Sequence, residues 1–468
     1  MGRSSKRSEG PANLISVLPE DLLLEILERL GSARAAAGTS LLSRRWRGLW
    51  TRLPNLTLSL HDVPFGSIQA ALHRAARPGV DIYHLNIRVA GQAGMIGAGS
   101  FSSLLRDAAS LSPVELRLTL PRNLQVSCMD VTLPSFHRAT SMDLRARALH
   151  LTVFAKPYAA SNGCYVPFRS LERLSLSGCH IDLATFIPFC PRLRVLQVNT
   201  TGLIDMSNIT VQSASLEELV VEHGNRWTGR THISVDSPVL KQLTASFHAC
   251  GNIGVSITAP MVEKVWWRCS YAKPICGLGL WGLSEVGLNT EETHSGRDAC
   301  VQLPSVHVLS LHISPAQDLV SFPNAELSFF AAEIDKHMVT NFSGLDLHLS
   351  TKGHVFGAFV LHLLGMHRVK DACPVNCLCD EPKNWRTETI TLADLENMEI
   401  EGVSGEDHEF DFLKVIFRCA PMLKTVTVRL SDGVTPSVDW CTKVNNIFMA
   451  YPSVECNADL VSRAKAVC

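Results

Sequence analysis

Two apolar periods divide the chain. In residues 16–53 large apolar side chains recur at helical spacing. Leu23, Ile26, Leu27 and Leu30 fall at i, i+3, i+4 and i+7, and Trp46, Leu49, Trp50 and Leu53 repeat the pattern. This predicts two helices, each with one apolar face. Pro19 suits the first helical position, where its missing N–H costs nothing, and Glu20 and Asp21 set negative charge against the positive end of the helix dipole. A stretch of about forty residues is too small to bury two tryptophans and this many leucines alone, so it should dock on the rest of the chain or on a partner. From Pro54 the period falls to two. Leu56, Leu58 and Leu60 alternate with polar residues as a first strand, and Leu116, Leu118, Leu120 and Leu149, Leu151, Val153 alternate in the same way. Between Gly91 and Ser100 a glycine-rich stretch predicts a loop.

From Leu171 a longer repeat overlies this alternation. Leu171-Glu172-Arg173-Leu174-Ser175-Leu176 returns at Leu193, Leu216, Leu240, Val262, Leu283 and Val306, at intervals of 21 to 24 residues. That is the period of a leucine-rich repeat, with one strand per repeat stacking into a parallel sheet and helices, turns and extra strands on the other side. In each unit the leucines point inward and the intervening residues form an outer row. Arg173, Gln197, Glu218, Gln242, Lys264, Trp266 and Glu285 stand in that row as candidate binding residues. Trp266, the large aromatic among them, is either an anchor or covered by a neighbouring loop. Beyond Leu311 the pattern predicts a strand at Leu345–Leu349, a helix at Val355–His367, strands at Met398–Glu401 and Thr425–Leu430, and a helix between them at Phe410–Cys419.

Composition fits such a fold. Of 468 residues 46% are hydrophobic and 19% charged, and the formal net charge is −1, so no global field draws the chain to nucleic acid or anionic lipid. No apolar run approaches the roughly 18 residues of a membrane helix, and residues 1–13 lack the apolar core of a secretory signal. The expected location is intracellular, nucleus or cytoplasm, with the 15 cysteines reduced.

Catalytic chemistry finds little support. Gly277-Leu278-Gly279-Leu280-Trp281-Gly282 satisfies the dinucleotide fingerprint, but a strand is expected after it, and without a helix N-terminus no N–H groups converge on a pyrophosphate. Cys373, Cys377 and Cys379, with His367 nearby, offer thiolates, yet their spacing departs from the paired knuckles of structural zinc sites. His312 and His348 lie on expected strands and read as packed or solvated. The acidic run from Glu399 to Asp411 lacks calcium-loop spacing and reads as a solvated loop. Arg44, Arg45, Arg47 and Arg52 frame a protein interface better than a phosphate track. No catalytic residue, metal site or cofactor is expected.

Leu18-Pro19, the helix after it, then Leu42-Ser43-Arg44-Arg45-Trp46-Arg47 and Leu49-Trp50 resemble the plant F-box, although Ser16 stands where that family often has an acidic residue and Gly31 where it often has proline. Cys373-Pro374, Asn376-Cys377, Cys379, Pro382 and Trp385, followed by Leu395-Glu396, Phe412-Leu413-Lys414 and Cys419-Ala420-Pro421-Met422-Leu423, resemble the FBD region that follows leucine-rich repeats in plant F-box proteins. The resemblance implies an α/β solenoid: a helical F-box of about three helices at 14–54 after a tail at 1–13, an irregular leucine-rich-repeat horseshoe with a parallel sheet at 55–372, FBD-like α/β repeats at 373–452 and a tail at 453–468. It also implies a non-catalytic receptor subunit of a cullin–RING ubiquitin ligase. Leu18, Pro19, Leu23, Ile26, Leu27, Leu30, Trp46, Leu49 and Trp50 would be divided between the small core of the box and a surface for the Skp-type adaptor. The repeats would hold a target protein, with no nucleic acid or membrane partner. The alternatives are an interaction scaffold not engaged in ubiquitination, and a helical hairpin that merely caps the domain behind it. A further strand is expected before the Cys373-Pro374 turn, but only residues 368–371 are there to supply it, so either a strand is lost or the helix leads directly into the turn.

Overall fold

A helix starting behind Pro19 opens the described structure. The computed structural model describes residues 18–30, 33–53, 56–76, 82–89, 97–120, 129–153, 167–199, 208–222, 231–249, 253–272, 277–278, 281–291, 306–315, 327–350, 355–365, 385–387, 391–393, 395–431 and 437–459. Cys373, Cys377, Cys379, His367 and segment 368–371 lie outside these residues. Contacts divide the chain into two compact units, the first formed by Met1–Lys273, Val286–Ser310 and Lys336–Leu345, the second by Pro274–Glu285, Leu311–Asp335 and Asp346–Cys468.

In the first unit, α1 (Glu20–Arg29) has Pro19 as its N-cap, Glu20 and Asp21 in its first turn, and a Glu25–Arg29 pair at 2.7 Å one turn apart. It buries Leu23 and Leu27. After α2 (Ala33–Gly38) and a 3₁₀ turn at Thr39–Leu41, the expected Trp46–Leu53 helix does not form. Residues 44–48 are turns and only Leu49–Arg52 coils, as a 3₁₀ helix. Gly48 has φ +84°, a left-handed conformation that a right-handed helix cannot pass through. The apolar spacing still does its work, because Trp46, Leu49 and Leu53 are buried. The Arg45 guanidinium donates to the Leu18 carbonyl and Arg52 pairs with Glu20, tying the turn back to the start of α1. The box leans on the next domain, with α2 packed against β1 (Leu56–Val63).

From β1 a large, mostly-strand sheet develops. α3 (Phe65–Ala75), β2 (Ile82–Val89), α4 (Ala98–Ser110), β3 (Glu115–Thr119), β4 (Met129–Leu133) and β5 (Ser141–Val153) alternate helix and strand; α4 begins at the end of the expected Gly91–Ser100 loop. Then β6 (Arg173–Ile181), α5 (Leu183–Phe186), β7 (Val195–Asn199), β8 (Asn208–Gln212), β9 (Glu218–Glu222), β10 (Thr231–Asp236), β11 (Gln242–Ala249), β12 (Ile253–Thr258) and β13 (Lys264–Tyr271) follow. The main sheet runs β1-β2-β3-β5-β6-β7-β9-β11-β13, and β8, β10 and β12 make a separate three-stranded sheet. The strands pair in parallel along both.

The leucine spacing sets the register. Leu174, Leu196, Leu219, Leu243 and Val265 face one another across successive strands, as do Leu176, Val198, Val221, Ala245 and Trp267. All ten are buried, and so are Leu171, Leu193, Leu216 and Leu240 before the strands. Burying a leucine or valine stabilises by roughly 1.5–3 kcal/mol, so a one-residue slip, which would expose the whole ladder, is strongly opposed. A backbone bond recurs at each rung: Arg194 N–H to Glu172 O, Glu217 to Arg194, Lys241 to Glu217 and Glu263 to Lys241, at 2.8–2.9 Å.

The parallel pattern then breaks. After β14 (Gly277–Leu278), β15 (Trp281–Glu291) contains the Leu283–Leu288 repeat. In the first unit, Thr290 Oγ1 accepts from the Val265 N–H at 2.7 Å and sits 2.9 Å from His307 Nδ1. A Cβ on Gly287 would lie 3.5 Å from the Trp267 carbonyl and 3.3 Å from Ser310 Cβ. Numbers rising along β15 therefore fall along both β13 and β16 (Val306–Pro315), and this strand runs antiparallel, against the expectation of seven parallel rungs. The cause is connection length. Nine residues separate β13 from β15, fewer than the dozen or so that a parallel crossover requires.

A fully buried polar cluster closes the first unit. The Trp267 Nε1–H donates to His337 Nδ1 at 3.1 Å, and His337 Nε2 lies 2.7 Å from the Tyr271 hydroxyl. Because indole nitrogen only donates, Nδ1 must accept, which fixes a neutral imidazole carrying its proton on Nε2.

The second unit holds α6 (Leu327–Asp335), most of β17 (Gly344–Leu349), α7 (Gly357–Gly365), β18 (Asn397–Val403), α8 (Asp407–Cys419), β19 (Thr425–Leu430), α9 (Val438–Met449) and β20 (Glu455–Asp459). The last three strands form a parallel sheet β18-β19-β20. β20 lies in the segment 453–468 expected as a tail, and its pairing with β19 corrects that boundary. The acidic run is likewise structured. Glu399 and Glu401 sit on β18 and pair with Arg429, and Glu406 with Glu409 makes a capping box that starts α8. The Glu409 carboxylate accepts from the Glu406 N–H at the N-cap, and from the Ser404 and Gly405 N–H groups of the loop before it, at 2.7–3.1 Å.

Candidate protein-docking surfaces

The amphipathic α1 separates the residues of the box by role. Leu23 and Leu27 are fully buried and Trp46 and Leu49 nearly so, which makes them the core of the box. Pro19 is exposed, Leu18 and Trp50 are half-buried, and Ile26 and Leu30 remain in solvent at 39% and 42% exposure. Leu22 joins them at 42%, giving an exposed stripe at i, i+4 and i+8 that adjoins the buried pair around the helix. The apolar spacing drew attention to Leu23 and passed over Leu22, although the run Leu22-Leu23-Leu24 has more leucines than one buried face can use. Leu41 and Leu42 were also missed as surface residues. They are 91% and 71% exposed at the 3₁₀ turn after α2. Two adjacent leucines left in water make an exposed apolar patch on a small box.

The second surface is the outer face of the main sheet. β13 sends alternate side chains to opposite sides: Val265, Trp267, Cys269 and Tyr271 are buried, whereas Lys264, Trp266 and Arg268 are exposed. Trp266, at 43% exposure, is therefore open to a partner. Register assembles six of the seven candidate residues into two rows. Arg173, Val195, Glu218, Gln242 and Lys264 are aligned in one, and Ser175, Gln197, Val220, Thr244 and Trp266 in the next. Arg268, Ser246, Glu222 and Asn199 make a third row that the sequence reading did not name. Glu285 belongs to the second unit, where its carboxylate lies 3.7 Å from His312 Nε2. There the His312 ring stacks on His348 at 4.2 Å between centroids, and His348 Nε2 lies 2.9 Å from Asp346.

Among the described residues, no group of three or more His, Cys, Asp or Glu is arranged to hold a metal ion, and no helix is long and apolar enough to cross a membrane. The glycine fingerprint lies in a hairpin, with Gly277 opposite Gly282 and Leu278 opposite Trp281 in antiparallel pairing. A strand rather than a helix start follows it, as expected. Burial pushes the Cys179 thiol, with minor contributions from its neighbours, and the Cys190 thiol up to about 12, so both stay protonated and packed.

The chain thus has a small helical box with an exposed apolar surface, followed by a large, mostly-strand sheet. Residues 15–58 match the F-box domain, so the chain carries an F-box at its N-terminus. Beyond the box it is similar to plant proteins of the F-box/FBD/leucine-rich-repeat kind. An F-box/FBD/LRR-repeat protein of Arabidopsis thaliana is 28% identical over 335 residues, 65% of this chain and 64% of that protein. An F-box/LRR-repeat protein from the same plant is 26% identical over 250 residues, 52% and 51% of the two chains, and a second F-box/FBD/LRR-repeat protein is 26% identical over 282 residues, 56% and 59%. The matched stretches thus cover between about half and just under two thirds of these relatives.

Proposed function

We propose that this chain is a substrate-recognition subunit of an SCF-type, cullin–RING ubiquitin ligase. F-box domains generally bind Skp-type adaptors, and the F-box at residues 15–58 carries the reading. In it the exposed Pro19, Leu22, Ile26, Leu30, Leu41 and Leu42 contact the adaptor, while Leu23, Leu27, Trp46 and Leu49 hold the box together. Apolar anchors of this kind contribute most of an interface's affinity. The outer face of the main sheet, a leucine-rich-repeat surface on this reading, holds a target protein. The chain supplies proximity and orientation, and a separate enzyme transfers ubiquitin.

The test is co-purification of the full chain with a Skp-type adaptor. Capture of the adaptor by the parent and its loss from an Ile26→Asp variant of unchanged thermal stability supports the proposal. A folded parent that fails to capture the adaptor rules it out in favour of an interaction scaffold.

A further inference from the structure

Nine outward-facing positions on β9, β11 and β13 form a regular grid of charge. Register aligns Lys264 with Gln242 and Glu218, Trp266 with Thr244 and Val220, and Arg268 with Ser246 and Glu222. The β13 column is thus cation, tryptophan, cation; the β11 column is uncharged; the β9 column is acid, valine, acid. Strand spacing puts the cationic and acidic columns ~10 Å apart, and alternate residues within a column are ~6.7 Å apart. Lys264, Trp266 and Arg268 are all exposed.

This layout is selective in two ways. Its ~6.7 Å column spacing equals that between alternate side chains of any extended peptide, so a segment laid along β13 can meet all three groups at once. The acidic column repels negative charge, and the neutral column holds that acidic column two strands away from the cations. Trp266 between the cations favours an apolar group between the two acids, because a purely ionic ligand would leave the indole uncovered. We propose, building on the reading of this face as the target-binding surface, that it takes an extended segment with acidic residues at positions i and i+4 and an apolar residue at i+2. The acids face Lys264 and Arg268, and the apolar side chain packs on Trp266.

The test uses the full-length chain and labelled peptides followed by fluorescence anisotropy. One probe has the core Glu-Ser-Leu-Ser-Glu, a second reverses its charge as Lys-Ser-Leu-Ser-Lys, and a third replaces the central leucine by glycine. The acidic probe should bind on the order of tenfold tighter than the charge-reversed one, the yield of two exposed ion pairs, and the glycine probe should bind more weakly than the leucine probe. Lys264→Glu with Arg268→Glu should invert the charge preference, and Trp266→Ala should abolish the advantage of leucine over glycine. These side chains are exposed, and an unchanged thermal melt shows that each variant has folded. Equal binding of acidic and basic probes, or no measurable binding of the acidic probe, overturns the proposal. Peptide display against the parent and the variants separates this inference from the reading beneath it. Captured peptides that depend on Trp266 but lack the paired acids overturn the acidic specificity and leave the face as the target surface. Captured peptides indifferent to all three substitutions overturn both.

Discussion

Leu41→Ala with Leu42→Ala removes six carbons from side chains that are 91% and 71% exposed, so the free chain should hardly notice. In a complex that covers them, each truncation forfeits about three carbons of burial at ~0.8 kcal/mol apiece, or roughly 2 kcal/mol per leucine. The pair should then weaken adaptor binding by up to ~4 kcal/mol, about three orders of magnitude in Kd. Leu23→Ala is the counterpart. Leu23 is fully buried, and emptying its site costs roughly 2–5 kcal/mol of stability, concentrated in the box. Titration calorimetry with a purified Skp-type adaptor measures the first effect, and hydrogen exchange of α1 amides the second. The reasoning fails if the Leu41/Leu42 variant binds the adaptor like the parent. It fails equally if that variant loses binding only because α1 exchanges as fast as in Leu23→Ala.

Other positions allow shorter tests. Tyr271→Phe removes the hydroxyl that lies 2.7 Å from the buried His337 Nε2 and should cost about 1–3 kcal/mol, read as faster exchange of the β13 amides. Gly48→Ala places a side chain at φ +84° and should destabilise the box by roughly 1–2 kcal/mol in thermal denaturation, although a Cβ there meets no neighbour. Burial works against the Asp411 carboxylate, but hydrogen bonds from Arg386 at 2.7 Å and Lys414 at 3.3 Å outweigh it and lower its pKa from 3.8. A depressed folded-state value means the contribution is present above the unfolded pKa and lost as pH falls through the folded one. Melting temperature should therefore drop below about pH 4, and Asp411→Asn should flatten that drop.

How far the sequence revealed the fold depended on what kind of signal each element carries. The strands of the main sheet were legible because each buries one face, so the alternation of Leu174 and Leu176 with Arg173 and Ser175 is written directly into the chain. β8, β10 and β12 lie outside the repeated leucine units, and a segment such as Asn208–Gln212 has its two buried residues, Ile209 and Val211, without the buried leucine that precedes each of β7, β9 and β11. The Trp46–Leu53 pattern predicted a helix that does not exist. Periodicity reports which residues are buried together, not the backbone that buries them, and Gly48 carried the missing information. The reversed direction of β15 was legible only in the length of the loop before it, not in its leucines. On the surface the positions were easier than the roles. The spacing left the box residues to be divided between core and surface, and burial places Leu23, Leu27, Trp46 and Leu49 inside, because helical spacing marks an apolar stripe without saying which of two adjoining stripes faces water.

Trp266 and Trp267 put that distinction in its sharpest form. The two side chains are adjacent in sequence, share one strand and differ only in which way the pleat sends them. Trp267 is 1% exposed, packs against Phe247 and donates to His337; Trp266 is 43% exposed among Lys264, Arg268 and Thr244. Trp267→Ala should cost about 3–5 kcal/mol through the cavity alone and also removes the indole hydrogen bond to His337. Trp266→Ala should change stability by no more than about 0.5 kcal/mol. Denaturant unfolding of the two variants makes the comparison. Equal losses would mean that Trp266 belongs to the fold and that the outer row is not a free face. A large loss for Trp267 alone would leave Trp266 with no structural reason to be tryptophan, and the reason would then have to be sought in what the chain binds.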